Sequence, residues 1–126
     1  MLREISRVRQ IKWGRRRRWF QSDDEDLFVW YRPNGSIFGF QLCYGRQRDE
    51  KALTWMPKRG FSHNRVDAGE RGGLEYARSP ILVVDGTFDP SAMNRRFLEI
   101  STSLPPEVRQ FVLGKLTKYP HGKRNT

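Results

Sequence analysis

Residues 27–44 read LFVWYRPNGSIFGFQLCY, two apolar runs separated by a turn. Within the turn, Pro33 presets the φ angle of the first central position, Asn34 suits the second, and Gly35 readily adopts positive φ. β-Branched and aromatic residues fill both flanking runs, and this composition is typical of strands. The segment therefore predicts an antiparallel β-hairpin.

The second run of this hairpin alternates between two faces. Regular alternation places Phe38, Phe40 and Leu42 on the same face of the strand. After a polar turn, residues 51–56 alternate again as a third strand, which Pro57 ends. Three successive strands of this kind predict an antiparallel meander.

The next part of the chain has weaker signals. Residues 57–79 contain four glycines, scattered charge and no hydrophobic period, so we expect a long loop that can include a short strand near Phe61. Residues 81–84 read ILVV and predict a fourth strand, whose continuous apolar character indicates burial on both faces.

The C-terminal third predicts two helices. Asp89 is a good N-cap, and Pro90 suits the first helical position. The residues of the first apolar stripe, at helical spacing, are Met93, Phe97, Ile100 and Leu104. A second helix begins within residues 105–107, which read PPE, and continues until Pro120.

Strands that precede helices in this way indicate an α+β fold. We predict an antiparallel β-meander of four to five strands, backed by a C-terminal helical hairpin. A chain of 126 residues has the size of one domain with one hydrophobic core. The predicted members of that core are Phe38, Phe40, Leu42, Trp55, Val83, Phe97 and Phe111.

The net charge of +10 is unevenly distributed along the chain. Residues 1–18 hold eight basic residues and one acidic residue, residues 19–114 hold twelve and thirteen, and residues 115–126 hold four and none. We predict a basic N-terminal arm or first strand at 1–18, a single α+β domain at 19–119, and a basic frayed tail at 120–126. Attraction to a polyanion is therefore expected at the two ends of the chain.

Other residue types exclude several classes of protein. Cys43 is the only cysteine, so no intramolecular disulfide can form, and no apolar stretch approaches the roughly 18 residues of a membrane span. These features favour a cytoplasmic protein that does not contact membranes. His63 and His121 lie far apart without a cysteine partner, so neither a metal nor another cofactor is predicted.

The densest group of residues that could bind a ligand is KWGRRRRWF, at positions 12–20. Arginines bind phosphates through two hydrogen bonds while aromatic rings stack on bases, a combination that is typical of proteins that bind single-stranded nucleic acid. The alternative is that Trp19 and Phe20 begin the core and that the arginines solubilise an exposed strand or arm. The candidate polyanion-binding residues are Lys12, Trp13, Arg15, Arg16, Arg17, Arg18 and Trp19.

A second candidate site lies in the predicted loop. His63, Asp67 and Glu70 have a spacing that, on a helical turn, would bring an imidazole and two carboxylates together for metal binding or proton transfer. An ordinary charged surface loop has the same composition. Residues 23–26, which are all acidic, follow the arginine block, and we expect them to neutralise those arginines. The alternative is that they form an acidic cation site.

Four short segments resemble small uncharacterised bacterial proteins of similar length. These segments are WFQ at 19–21, GFQLCY at 39–44, ALTW at 52–55 and GFSH at 60–63. The resemblance implies a bacterial, cytoplasmic protein, and it implies no activity.

Three functional hypotheses follow from these features. The first is a non-catalytic binding module that contacts nucleic acid or another polyanion through its basic termini. The second is an adaptor domain that binds an acidic protein through exposed aromatics and arginines. The third is a small enzyme that uses the 60–70 loop.

Overall fold

A computed structural model describes residues 1–6, 16–66 and 88–119 of the chain. In these residues one antiparallel sheet of six strands precedes two helices, so the fold class is α+β, as predicted, with six strands rather than four to five. The strands follow one another across the sheet in chain order. The elements are β1 (Arg3–Glu4), β2 (Arg16–Gln21), β3 (Asp26–Tyr31), β4 (Ile37–Tyr44), β5 (Lys51–Met56), β6 (Gly60–Arg65), α1 (Pro90–Ile100) and α2 (Pro106–Thr117).

The hairpin predicted from residues 27–44 is formed by β3 and β4. Gly35 has a φ angle of 92°, and its backbone N–H donates to the carbonyl of Arg32 at 2.8 Å. The side chain of Asn34 accepts a hydrogen bond from the backbone N–H of Ser36 at 2.9 Å, which further fixes the turn. The hairpin prediction is confirmed.

A bulge in β4 changes the face of one predicted core residue. Tyr31 pairs with Ile37 whereas Trp30 pairs with Gly39, so Phe38 is an additional residue in β4. An inserted residue reverses the alternation at that point. Phe38 therefore packs with the cluster on the other face of the sheet, and the prediction that it joins the main core was wrong.

The first part of the predicted 57–79 loop is regular structure. Residues 60–65 form β6, which pairs with β5 along its whole length, from Met56 opposite Gly60 to Lys51 opposite Arg65. The long-loop prediction was therefore wrong for these residues, apart from the strand suggested near Phe61. The predicted strand at 81–84, with the predicted core residue Val83, lies outside the described residues, as does the predicted tail at 120–126.

The main core lies between the two helices and one face of the sheet. Phe40, Leu42 and Phe97 are fully buried there, and Trp55 and Phe111 pack against it while partly exposed. A second buried cluster on the opposite face comprises Phe28, Trp30, Cys43, Ala52 and Met56. Cys43 thus packs on the side away from Phe40, as strand alternation predicts.

Both helices begin where the sequence places them. The carboxylate of Asp89 accepts a hydrogen bond from the backbone N–H of Ala92 at 3.1 Å, and Pro90 is the first residue of α1. α1 ends at Ile100, so Leu104 lies in the connection to α2, where it is nevertheless buried. Neither helix is long and apolar enough to cross a membrane, a statement that covers only the described part of the chain.

The first residues of the chain are attached to the fold at both the sheet and the helices. Leu2 is 1% exposed, its backbone N–H donates to the carbonyl of Ile100 at 2.9 Å, and its own carbonyl accepts from the hydroxyl of Ser103 at 2.8 Å. β1 follows directly and pairs with β2. Residues 2–4 therefore contact both the sheet and the connection between the two helices.

Candidate polyanion-binding surface

Part of the predicted arginine block lies in a paired strand. Arg16, Arg17 and Arg18 belong to β2, where they pair with Tyr31, Trp30 and Val29 of β3 respectively. Strand β2 thus crosses the boundary at residue 18 that charge counting suggested. Lys12, Trp13 and Arg15 lie outside the described residues.

The three arginines have different surroundings. Arg18 donates two hydrogen bonds to the carboxylate of Glu4, at 2.8 and 2.7 Å, and this contact raises the pKa of Arg18 and lowers that of Glu4. The Nε atom of Arg17 is buried. Arg16 is exposed, and its guanidinium lies 4.7 Å from the centre of the Tyr31 ring. Of the three, Arg16 has the side chain most available to solvent.

Trp19 is part of the packed sheet surface. Its ring stacks on that of Phe28 with the ring centres 5.6 Å apart, and its Nε1 donates to Asp26 at 2.8 Å. Gln21 donates to the same carboxylate oxygen at 2.9 Å. These contacts engage both the ring and the polar atom of Trp19, which favours the structural interpretation of this residue over base stacking.

The topology of the sheet separates the charges that are mixed along the sequence. In an antiparallel meander, successive connections lie at alternating ends of the strands. The β3–β4 and β5–β6 connections therefore lie at the same end as the first residues of β2, and we call this the basic end. Its described residues, 16–18, 32–36 and 57–59, include six lysines and arginines and no acidic residue.

Apart from Arg17 and Arg18, whose contacts are given above, the described basic side chains at this end are accessible to solvent. Arg16, Lys58 and Arg59 are exposed, and Arg32 is partly exposed. Neighbouring strands lie about 4.8 Å apart, so the row from the first residues of β2 to the β5–β6 connection extends over about 17 Å. Lysines and arginines from distant parts of the sequence thus form one row.

The other end of the sheet carries the acidic residues. The β2–β3 and β4–β5 connections, at residues 22–25 and 45–50, contain five acidic and two basic residues. The acidic residues of the 23–26 run pair with arginines outside the 15–18 block: Asp24 with Arg48 at 3.0 Å, Asp26 with Arg46 at 2.8 Å, and Glu25 with Arg96 at 2.6 Å. The expectation that this run neutralises the 15–18 arginines was wrong, because the turn lies at the far end of β2 from Arg16.

Helix α2 adds a lysine close to the basic end. The Nζ of Lys115 lies 3.9 Å from the centre of the Trp55 ring, and Trp55 is the residue before the last of β5. The exposed Lys118 follows at the end of the helix. The basic residues that begin the C-terminal segment are therefore next to the β5–β6 connection.

The alternative site at His63 has a different structure from the one expected. His63 lies in β6 and is 6% exposed, so its predicted place in a loop was wrong. Its Nε2 is 2.5 Å from the hydroxyl of Tyr44, and its ring packs 4.8 Å from that of Phe88. Asp67 and Glu70 lie outside the described residues. Within the described ranges, no group of three or more His, Cys, Asp or Glu residues could hold a metal ion.

A cleft of about 490 Å³ lies beside Tyr44, at the start of α1 and next to the acidic end. The charged side chains that line it include Arg48, Lys51 and Arg96, and each of these forms an ion pair with an acidic residue. These pairs neutralise the lining, so the cleft has less attraction for a charged ligand than the basic end has.

No protein family, curated protein or solved structure matches this chain. The basic end could not be seen by counting charge along the sequence, because residues 19–114 contain both ends of the sheet. The sequence does contain a signal for it. The segments that separate strands at 5–15, 32–36 and 57–59 lack acidic residues, whereas those at 22–25 and 45–50 contain them.

Proposed function

We propose that the protein is a non-catalytic binding module that contacts the phosphates of a nucleic acid through its basic end. The observation that carries this proposal is the separation of charge, with six basic and no acidic residues among the described residues that make up this end. A row of positive charge, in which Arg16, Arg32, Lys58 and Arg59 are accessible to solvent, attracts a polyanion and allows several phosphates to be contacted together.

The distance between the two ends supports this proposal. Strands of six to eight residues separate the ends by about 20–25 Å, at about 3.3 Å per residue. Salt at physiological concentration screens charges over about 8 Å. The acidic end therefore does little to cancel the attraction that a phosphate experiences at the basic end.

The basic end is also long enough to contact several phosphates at once. Double-stranded DNA carries one phosphate per about 1.7 Å of its axis, so a row of about 17 Å faces roughly ten phosphates on the two strands. Several lysines and arginines can then bind phosphates at once, and each of them releases counterions from the nucleic acid.

The test compares two double variants that remove the same charge from opposite parts of the molecule. Lys58→Ala/Arg59→Ala removes two exposed cations from the β5–β6 connection at the basic end. Arg48→Ala/Arg95→Ala removes two exposed cations from the acidic end and from α1. Affinity for duplex DNA is measured for each variant over a series of salt concentrations.

We expect the slope of log K against log salt to become shallower by about 1–2 in Lys58→Ala/Arg59→Ala, at about 0.9 for each phosphate that the variant no longer neutralises. The slope of Arg48→Ala/Arg95→Ala should stay near that of the parent. Equal effects of the two variants would mean that only net charge matters and would overturn the assignment to the basic end. An absence of binding by the parent at low salt would overturn the proposed function itself.

A further inference from the structure

We infer that the basic end is a surface for double-stranded nucleic acid, which it binds through phosphates without stacking on bases. This inference rests on the proposed function and adds the class of nucleic acid. It differs from the expectation of single-stranded binding that the arginine block between Trp13 and Trp19 suggested.

The first observation is the burial of aromatic rings. In residues 1–6, 16–66 and 88–119, the only large hydrophobic side chains that are exposed are Met1 and Leu98, and neither is aromatic. Near the basic end, Trp30 is 3% exposed and Tyr31 is 5% exposed. A base cannot stack on a ring that is already buried in the protein.

The second observation concerns the rings that are partly exposed near the basic end. The guanidinium of Arg32 lies 5.4 Å from the centre of the Phe38 ring, and Lys115 lies over Trp55. Phe61 packs against Tyr119 with the ring centres 4.8 Å apart. Phe38 and Trp55 are thus each covered by a cation of the same chain, and Phe61 is covered by another ring. These neighbours occupy positions at which bases would stack.

Arg32 keeps hydrogen-bond donors for a ligand while it lies over Phe38. Its guanidinium donates to the carbonyl of Ile37 at 2.8 Å and to the hydroxyl of Ser36 at 3.4 Å, and a guanidinium has five N–H donors, so further donors remain for other acceptors. A cation held over a ring retains its charge and contacts a phosphate without reorganising. The rings therefore position cations, and the cations contact the ligand.

The expected difference in affinity between double-stranded and single-stranded nucleic acid follows from charge density and base stacking. A duplex carries twice as many phosphates per length of axis as one of its strands in the same geometry. Proteins that prefer single strands offset this with base stacking, and removal of one stacking ring weakens binding by about 5- to 150-fold. Because this surface has no ring available for stacking among its described residues, the charge density of the ligand decides its preference.

The experiment measures binding of the full chain to three probes at one low salt concentration. The probes are a DNA duplex, one of its single strands, and a strand of equal length that lacks bases at every position. We expect the duplex to bind about tenfold more tightly than the single strand, and the strand without bases to bind within about twofold of the intact strand. Binding by the intact strand that equals or exceeds duplex binding would overturn this inference, as would a tenfold loss on removal of the bases.

Trp13, which lies outside the described residues, provides a second variant. We expect Trp13→Ala to leave the affinity for the single strand within about twofold of the parent, because stacking is not required. A loss of about tenfold that is confined to the single strand would show stacking by Trp13 and would overturn the inference. If none of the three probes binds the parent, the proposed function fails, and this result differs from every outcome that concerns the class of nucleic acid.

Discussion

Glu25 and Arg96, which are 71 positions apart, form a two-point ion pair between the β2–β3 connection and α1. The Nε of Arg96 donates to one carboxylate oxygen of Glu25 at 2.6 Å, and Nη2 donates to the other at 3.0 Å. Glu25 is 2% exposed, and the hydroxyl of Ser22 donates to it as well. The contact raises the pKa of Arg96. This pair fixes the first helix to the acidic end of the sheet.

Arg96→Ala should therefore destabilise the fold. The substitution leaves a buried carboxylate with fewer donors, and we expect the free energy of unfolding to fall by about 1–3 kcal/mol. The matched control is Arg95→Ala, which removes the preceding, exposed arginine of α1 and should change stability by less than about 0.5 kcal/mol. Urea unfolding of both variants measures the difference, and equal stabilities would contradict the structural role of the pair.

Truncation of either of two buried phenylalanines should have a larger effect. Phe40 of β4 and Phe97 of α1 are both fully buried in the main core. Replacement of either by alanine should cost about 3–5 kcal/mol, because transfer free energy is lost and a cavity remains. Leu98→Ala, at an exposed position of α1, is the control. Thermal melts of Phe40→Ala or Phe97→Ala that match the parent would show that the helices do not pack on this sheet.

Replacement of two glycines by alanine should change the free energy of unfolding in opposite directions. A Cβ at Gly39 would lie 2.6 Å from the backbone oxygen of Trp55 and 2.5 Å from the sulfur of Met56, and the backbone oxygen cannot move without disturbing β5. Gly114 lies within α2, and apart from the adjoining helix backbone and its two chain neighbours no described atom lies within 4 Å of such a Cβ. Gly39→Ala should destabilise the protein, whereas Gly114→Ala should stabilise it by about 0.5–1 kcal/mol.

The result for these two glycines is read from the midpoint of chemical unfolding. Stabilisation by Gly39→Ala would mean that β4 and β5 are not packed as closely as the structure has them. A decrease in stability in Gly114→Ala would mean that this helix position contacts other parts of the chain.

The ion pair between Glu4 and Arg18 should give part of the stability a dependence on pH. The hydrogen bond from Arg18 lowers the pKa of Glu4 below its ordinary value of 4.5. A carboxyl group whose pKa is lower in the folded state stabilises the fold above the unfolded pKa and loses this effect as the pH falls through the folded pKa. Glu4→Gln should therefore be less stable than the parent at neutral pH, and the difference should shrink below pH 4.5. A difference that stays constant from neutral pH to about pH 3 would contradict the pairing.

The strand pattern of the central hairpin was predictable because its residues act locally. Pro33, Asn34 and Gly35 determine the turn, and apolar runs of strand length flank it. The bulge at Phe38 was not predictable, because the regular alternation of a strand does not indicate where an extra residue enters. That information lies in the pairing of Trp30 and Tyr31 with β4.

Most of β6 was not predicted, beyond a short strand near Phe61, for a different reason. In β6, Ser62, Asn64 and Arg65 have little intrinsic preference for strands, yet the strand pairs fully with β5. Pairing with a neighbouring strand outweighed the local propensity. The basic end depends on the same order of strands, because its lysines and arginines come together only when the connections alternate between the two ends.

The arginine block itself should separate into two pairs with different roles. Arg15→Ala/Arg16→Ala and Arg17→Ala/Arg18→Ala each remove two positive charges from adjacent positions. From the sequence alone, all four arginines would be expected to contribute little to stability. The ion pair of Arg18 with Glu4 and the buried Nε of Arg17 change this expectation for the second pair.

We expect Arg15→Ala/Arg16→Ala to melt within a few degrees of the parent, at a cost below about 0.5 kcal/mol, and to bind duplex DNA with a salt slope that is shallower by about 1–2. Arg17→Ala/Arg18→Ala should lose about 1 kcal/mol or more of stability, since it removes two hydrogen bonds to Glu4 and the packing of the Arg18 side chain on Phe20. Melting curves and salt titrations on the same samples measure both effects. A parent-like salt slope in Arg15→Ala/Arg16→Ala would exclude this part of the basic end from the contact. A parent-like melting temperature in Arg17→Ala/Arg18→Ala would show that β1 is not held by its ion pair with β2.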